Sequence, residues 1–305
     1  MKKYSFPRDD YLKLLLGVVA LSFSPLAVKL VIFDTNASAF YRSFYAGIFF
    51  LALSLLNYKT QFGVKNNKWI VPSIIAGFFL GADLVVWHKT IIYMGAGPAT
   101  FLGNSQILFV TIFSALVYRE KITKEFCLIL AIVMVGLYML TPIAGVAVSQ
   151  PYSFFLGMIV GFTYAGMLIS LRYAKALSGE TYPELLSLCA LFAASAFIIA
   201  VYSFGLRNDN IIVWDLKSHV IMAFTALLCQ TFGWYLINHT ITKIPAHEGS
   251  LTLLFQPLFA TVWGAVFFSE WLTGLQMIGM ILALAGITYH QTRTLSKQRA
   301  AGNNL

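Results

Sequence analysis

Asp83 is the only acidic residue well inside an apolar stretch of this 305-residue chain. Trp87 follows four residues on, one helical turn away on the same face, and His88 and Lys89 come within the next half turn. A carboxylate at the middle of an apolar helix costs roughly 2.5 to 3.5 kcal/mol on insertion scales, so one that persists there faces protein or a water-filled cavity. Two chemistries suit it: a proton or cation relay, or a ligand for a substrate ammonium. The structural alternative is a buried ion pair with Lys29, Arg42 or Lys89. Gln106 and Gln256 offer a different chemistry. A side-chain amide presents donors and acceptors without a buried charge, which suits recognition of a zwitterionic or heterocyclic metabolite. Asn104 and Ser105 add polarity beside Gln106, and Pro257 frees a backbone carbonyl next to Gln256. Gln230 and Trp234 form an i, i+4 polar and aromatic pair, and Tyr164 is a further candidate. Interhelical hydrogen bonding, at about 0.6 kcal/mol on average, is the competing role for the amides.

These residues sit in elements that only a bilayer explains. With 59% hydrophobic and 11% charged residues, most of the chain lies in stretches too long and too apolar for a soluble core. At about 20 residues per span, helices are predicted near 11–33, 36–57, 69–94, 97–118, 123–141, 152–174, 181–204, 217–240, 246–268 and 274–292. With the N-terminus inside, sixteen Lys and Arg fall in inside segments and two, Arg207 and Lys217, in outside loops; Lys29, Arg42 and Lys89 lie within helices. This bias predicts both termini in the cytoplasm. The +9 net charge is thereby accounted for by topology, and no nucleic acid is expected.

The chain repeats itself at a constant offset of 150, visible in Gln106/Gln256, Leu108/Leu258, Phe109/Phe259, Thr111/Thr261, Ala115/Ala265, Glu120/Glu270, Thr123/Thr273 and Gly136/Gly286. Five spans per half make the second half enter the bilayer from the opposite side, the construction of many secondary transporters, with the substrate site near midplane. The expected organisation is a five-helix repeat over 1–141, an outer linker over 142–151, an inverted repeat over 152–292 and a cytoplasmic tail over 293–305.

The same offset aligns Lys89 with His239, which makes them candidate gate elements on opposite faces. The alternative is that each snorkels to its nearest headgroup layer. Lys29 and Arg42 sit near outer helix ends, where Asp34 is a potential partner. Gly77/Gly81 and Gly157/Gly161 are GxxxG patterns for close helix approach. Glu120 and Glu270 precede helices 5 and 10, where they favour the positive helix ends, with Thr123 and Thr273 as caps. Cys127, Cys189 and Cys229 lie inside helices at unrelated spacings and imply neither disulfide nor metal site. The sequons at Asn36 and Asn238 read as chance. No P-loop, G-x-S-x-G or H-E-x-x-H occurs, so no enzyme, cofactor or metal centre is expected.

Tyr41-Arg42, the stretch Trp87 to Leu108, Gln230 to Trp234 and the run from Leu253 to Gly279 resemble together the EamA-type ten-helix transporters of the drug/metabolite transporter superfamily. The resemblance covers nearly the whole chain. It implies an all-α bundle of two inverted five-helix repeats around a central cavity lined by helices 1, 3, 4, 6, 8 and 9. The resulting expectation is a bacterial inner-membrane secondary transporter of small organic metabolites, exporting amino acids or related compounds, with Asp83 as the coupling group if protons are used. Uptake of a vitamin or nucleotide-derived cofactor, a lipid-carrier flippase with a lateral opening, and a transport-inactive assembly partner are the competing readings. The bilayer and a small metabolite are the expected partners, and homodimerisation is compatible with this organisation.

Overall fold

A computed structural model describes residues 8–94, 96–117, 119–140, 152–207, 211–241, 243–269 and 271–302. The linker expected over 142–151, Glu270 and the last three residues lie outside these. The described residues are helical with short connections, and the breaks in the helices have local causes.

The first span is two pieces, α1 (Arg8–Ser22) and α2 (Ser24–Leu30), because Pro25 has no N–H for the Leu21 carbonyl. The third element, α3 (Thr35–Leu56), starts at Asp34, whose Oδ1 accepts the Ala37 N–H at 2.6 Å. Among the described residues that cap, and not an ion pair with Arg42, is the side-chain contact Asp34 makes. Next come α4 (Tyr58–Phe62) and α5 (Ile70–Met94). The fourth predicted span is broken at Asn104–Ser105 into α6 (Ala96–Gly103) and α7 (Gln106–Val117). After it, α8 (Lys124–Leu140) is capped by Thr123 Oγ1, which accepts the Phe126 N–H at 3.1 Å.

The second half opens with α9 (Ser153–Ser178) and α10 (Glu184–Ala200), the latter continuing as a π-helical turn, Val201–Arg207. Then α11 (Leu216–Thr225) and α12 (Trp234–Ile241) flank a π-helical segment, Ala226–Gly233, in which Thr231 Oγ1 donates to the Ala226 carbonyl five residues back. The ninth span is again two pieces, α13 (Ala246–Leu253) and α14 (Phe255–Phe268), and α15 (Gly274–Gly302) closes the chain. Its start carries the expected Thr273 cap, with Gln276 returning its side-chain carbonyl to the Thr273 N–H at 2.9 Å.

Eight of these units are long and apolar enough to cross a membrane. Of the ten spans expected, α8 is short of that standard at 17 residues, and α15 is diluted by Gln276, His290 and Gln291. The protein is an all-helical, multi-pass membrane protein. Its breaks recur at the offset of 150 seen in the sequence: α6 and α13 span 96–103 and 246–253, and α8 and α15 begin at 124 and 274.

Several of the main helix pairings have a counterpart when the halves are exchanged. The helix α5 packs along α9, as the α11–α12 unit packs along α1; α6 and α7 meet α9, as α13 and α14 meet α1; α3 pairs with α10, α8 with α15 and α7 with α13. Small residues permit the tightest crossings. A Cβ on Gly17 would lie 2.8 Å from the Gly233 carbonyl oxygen, and one on Gly161 would lie 2.9 Å from the Gln106 nitrogen. The Gly77/Gly81 pair of α5 is seated on α10, against Leu191 and Ile198, and Gly157 meets Leu102.

Candidate functional site

Asp83, at the middle of α5, accepts a hydrogen bond from Thr163 Oγ1 of α9 at 3.0 Å. The same hydroxyl lies 3.0 Å from the Ile159 and Val160 carbonyls. Arg42 of α3 interacts with Asp83 through space while its Nη1 donates to Ser24 Oγ at 3.2 Å. Asp83 is therefore held by a neutral donor with a cation nearby. Tyr164, next to Thr163, sets its ring edge-on to Trp234 with centroids 6.2 Å apart. Asp83, Thr163, Tyr164, Arg42, Cys229 and Trp234 thus come from four helices that the sequence separates by up to 192 positions, Trp234 against Arg42.

The broken fourth span supplies the second group. Gln106 is 0% exposed, and among the described residues both polar atoms of its amide lack a partner, as does the buried hydroxyl of Ser105. A buried amide without partners is destabilising by about 1 to 3 kcal/mol. A residue that carries this penalty is suited to meet a ligand or water in another state of the protein. Asn104 instead returns its side-chain N–H to the Thr100 carbonyl at 3.0 Å and serves the helix break. Trp87 packs on Ala99 and Leu102 and tilts against His88 at 5.3 Å. His88 is buried, with Nδ1 unpartnered among the described residues. Gln230 is buried in the π-helical segment, and Gln256 is half-buried at the start of α14. Lys89 is exposed, and the side chain of Lys29 lies outside the described ones.

His239 lies elsewhere, in an ion-pair network where α1 begins, the N-terminal face of the bundle. Its Nδ1 is 2.9 Å from Glu184 Oε2 and its Nε2 2.9 Å from Lys243 Nζ; Lys243 also donates to Asp10 at 3.0 Å, and Lys175 lies 3.8 Å from Glu184. Beside it is a second, more buried network that spacing did not reveal. Glu120 accepts from Arg172 Nη2 at 3.0 Å, from the Ala246 N–H at 3.1 and 3.0 Å to its two oxygens, and from His247 Nδ1 at 2.8 Å. Burial alone pushes the Glu120 carboxyl up, but the His247 hydrogen bond, Arg172 and the Ala246 N–H outweigh it and hold it below the ordinary carboxylate value. Glu120 therefore caps α13 of the other half and not α8, as its position before helix 5 had implied. Helix proximity in sequence was outbid by a better-placed N-terminus and a guanidinium across the interface.

At the break between α1 and α2, Trp263 Nε1 donates to Ser22 Oγ at 2.8 Å and its ring stacks on Phe23 at 4.5 Å. A cavity of about 610 Å³ lies off-centre, between α3, α4, α10 and the α11–α12 unit, where the resemblance had implied a central one. Its walls include the exposed Phe224, Leu227 and Phe232, with Asn57, Gln61 and Glu184 at one end, and no residue of the Asp83 or Gln106 groups lines it.

Buried polar groups gathered from several apolar helices mark a multi-pass membrane protein with a polar interior. The chain belongs to the EamA-like transporter family, whose profile matches residues 11–141 and again 152–289. It is similar, at 24% identity over 255 residues, to the probable purine permease 13 of Arabidopsis thaliana, covering 74% of this chain and 67% of that one. At 24% identity over 238 residues it is also similar to the pseudopaline exporter CntI of Pseudomonas aeruginosa, covering 76% and 80%. A solved crystal structure of a protein with 13% identity shares the fold, with a TM-score of 0.74 over 92% of this chain and 96% of that one.

Proposed function

We propose that the chain is a secondary active exporter of small organic metabolites, amino acids or related compounds, which exposes one central site alternately to the two sides of a bacterial inner membrane. The observation that carries this reading is Asp83 held by Thr163 in the bundle interior and within the reach of the Arg42 charge, together with a second buried group, the Gln106 amide, which has no partner among the described residues. A carboxylate, a guanidinium and unpaired amide groups complement the two ends of a zwitterion. The ten-span, inverted arrangement is supported by the helix pairing that survives exchange of the halves, by breaks recurring at 150 residues, and by the family profile matching twice. The lysine and arginine bias supports the N-terminal face as the cytoplasmic one. Asp83 is the coupling group if protons are exchanged for substrate. Both named relatives carry transport in their names, one of purines and one of pseudopaline, which supports a nitrogen-bearing organic solute.

The test is a metabolite profile of medium and cytosol from cells expressing the wild type, Asp83→Asn or an empty vector. One compound class enriched outside, and lost with Asp83→Asn, is expected. Enrichment inside would reverse the direction, and no difference with the protein present in the membrane would remove the metabolite reading.

A second reading has its own observation. The lateral cavity, apolar along Leu53, Leu227 and Leu228 and polar at Asn57, Gln61 and Glu184, has the shape of a site for an amphipathic lipid, as a flippase requires. Competition by lipid headgroups and not by soluble metabolites would favour it.

A further inference from the structure

We propose that the closure on the N-terminal face is itself a proton-binding site: the buried chain Glu120–His247–Glu248–His290 holds one more proton when that face is closed than when it is open. The inference rests on the alternating-access reading above, and it places a coupling site at the gate, apart from Asp83.

The geometry of His247 carries it. Its Nδ1 is 2.8 Å from Glu120 Oε2, and an ionised carboxylate only accepts, so Nδ1 bears a hydrogen. In a neutral imidazole Nε2 would then present a lone pair, yet it faces Glu248 Oε1 at 4.0 Å. The opposing lone pairs are relieved when Nε2 also carries a proton. Glu248 continues the chain, with its Oε2 3.0 Å from His290 Nε2. All four groups are enclosed: the side chains of Glu120, His247, His290 and Glu248 are 7%, 9%, 9% and 19% exposed. The charges agree. Two carboxylates face one guanidinium, Arg172, so a neutral pair of histidines leaves one uncompensated negative charge, which a single bound proton cancels. Of the other groups packed here, Phe126 of α8 sets its ring edge-on to both imidazoles, at 4.8 and 5.4 Å, and Tyr11 of α1 interacts with Glu248. Neither supplies a charge that would substitute for the proton, and Glu125 of α8 and Arg293 of α15 cancel in their own ion pair at 2.7 Å. His239 is the contrast: Lys243 donates to its Nε2, so its ring is already satisfied in the neutral form.

Opening this face separates Glu120, in the first half, from Arg172, Ala246 and His247, in the second. The sandwich of His247 between two carboxylates is then lost and the proton leaves to the side just opened. Since the closed form binds more protons, closure is favoured as pH falls and opening as pH rises, by at most tenfold per pH unit for one proton.

The test uses the full-length protein in lipid, with nitroxide labels on Lys121→Cys and Tyr173→Cys, exposed neighbours of Glu120 and Arg172, in a background with Cys127, Cys189 and Cys229 replaced by Ala. The inter-label distance distribution is followed from pH 5.5 to 8.5 without substrate. Growth of the long-distance population with pH, flattened by His247→Gln, which keeps one amide donor for Glu120, is the expected result. Glu248→Gln, which removes the second carboxylate, must move the opening to lower pH, and it carries the test if His247→Gln does not fold. A pH-independent distribution, an opposite slope, or an unaltered slope in both variants overturns the proposal. The Lys121→Cys single variant, probed with an impermeant thiol reagent from each side of vesicles, tests the topology separately. A pH response without any metabolite difference in the profile above would leave the proton site standing and remove the exporter.

Discussion

Arg172→Met measures what holds the N-terminal face shut. Arg172 is 7% exposed; Nη2 meets Glu120 at 3.0 Å and Nη1 meets the carbonyls of Ile244 and Ile241 at 2.6 and 3.4 Å. Methionine keeps much of the stem and deletes the charge. Removing one member of a buried pair costs roughly 3 to 5 kcal/mol, because the other is left uncompensated. Glu120 retains the Ala246 N–H and His247, so the lower end applies, and about 3 kcal/mol is about 150-fold in the opening equilibrium. The reporter is Ser250→Cys in the cysteine-free background. Ser250 is 0% exposed and, with Arg172, Ile241 and Ala246, bounds a small void of about 10 Å³ behind the closure. At fixed pH its labelling rate by an impermeant maleimide follows the open population when opening and closing are fast. A rise of about two orders of magnitude is expected in Arg172→Met, and a smaller one when Glu120→Gln is combined with it, since no buried charge then stands alone. An unchanged rate in the folded single variant, or a larger rise in the double variant, would refute the reasoning.

Glu120 sets an acid limit on the same closure. Its carboxyl is held below the ordinary value, so its contribution is present above the unfolded carboxylate range, about 4.3, and is lost as pH falls through the lower folded value; the Lys121–Tyr173 distance is expected to open again only on the acid side of that range. Thr163→Val is expected to depress transport more than Thr163→Ser, because only the hydroxyl donates to Asp83; equal uptake or efflux rates in the two variants would detach Thr163 from the site. Gly161→Ala places a Cβ against Gln106 N and is expected to destabilise by about 1 to 3 kcal/mol through overpacking, read as a lowered thermal midpoint in detergent. Asp34→Ala removes the α3 cap and is expected to lower stability by about 1 kcal/mol, with Asp34→Asn close to wild type in the same thermal assay.

Hydropathy was sufficient to read a helical membrane bundle, because it reports the solvent directly. The GxxxG pairs and the caps at Thr123 and Thr273 were legible for the same reason: they depend on local spacing. The splits at Phe23 and Asn104 and the π-helical segment at Ala226–Gly233 were not, since continuous hydropathy is blind to where backbone hydrogen bonds are interrupted. Among candidate residues, Asp83 stood out by its desolvation penalty, but Thr163, its donor, looked like any threonine in an apolar helix. The Glu120 cluster was hidden more thoroughly. Its members lie at 120, 172, 247, 248 and 290, in connections and helix ends where charged residues are ordinary, and only the packing of the halves brings them together.

The pseudo-symmetry makes that cluster more informative than a buried ion pair would be alone. Shifted by 150, Glu120 falls on Glu270, Arg172 on Ser22, Ala246 on Ala96 and His247 on Gly97. The counterpart of a guanidinium is thus a hydroxyl, and that of an imidazole is nothing. Ser22 is the residue that accepts from Trp263, whose ring stacks on Phe23, so at this position the second contact is an aromatic latch. A stacked aromatic pair adds about 0.5 to 1.5 kcal/mol beyond its buried area and carries no charge. The latch residues Ser22, Phe23 and Trp263 also have no side chain that titrates near neutral pH. On the proposed reading the two ends differ in chemistry: the cluster at the N-terminal face carries the titratable groups and the Ser22–Trp263 contact carries none, which is the difference a proton-driven cycle requires of its two gates.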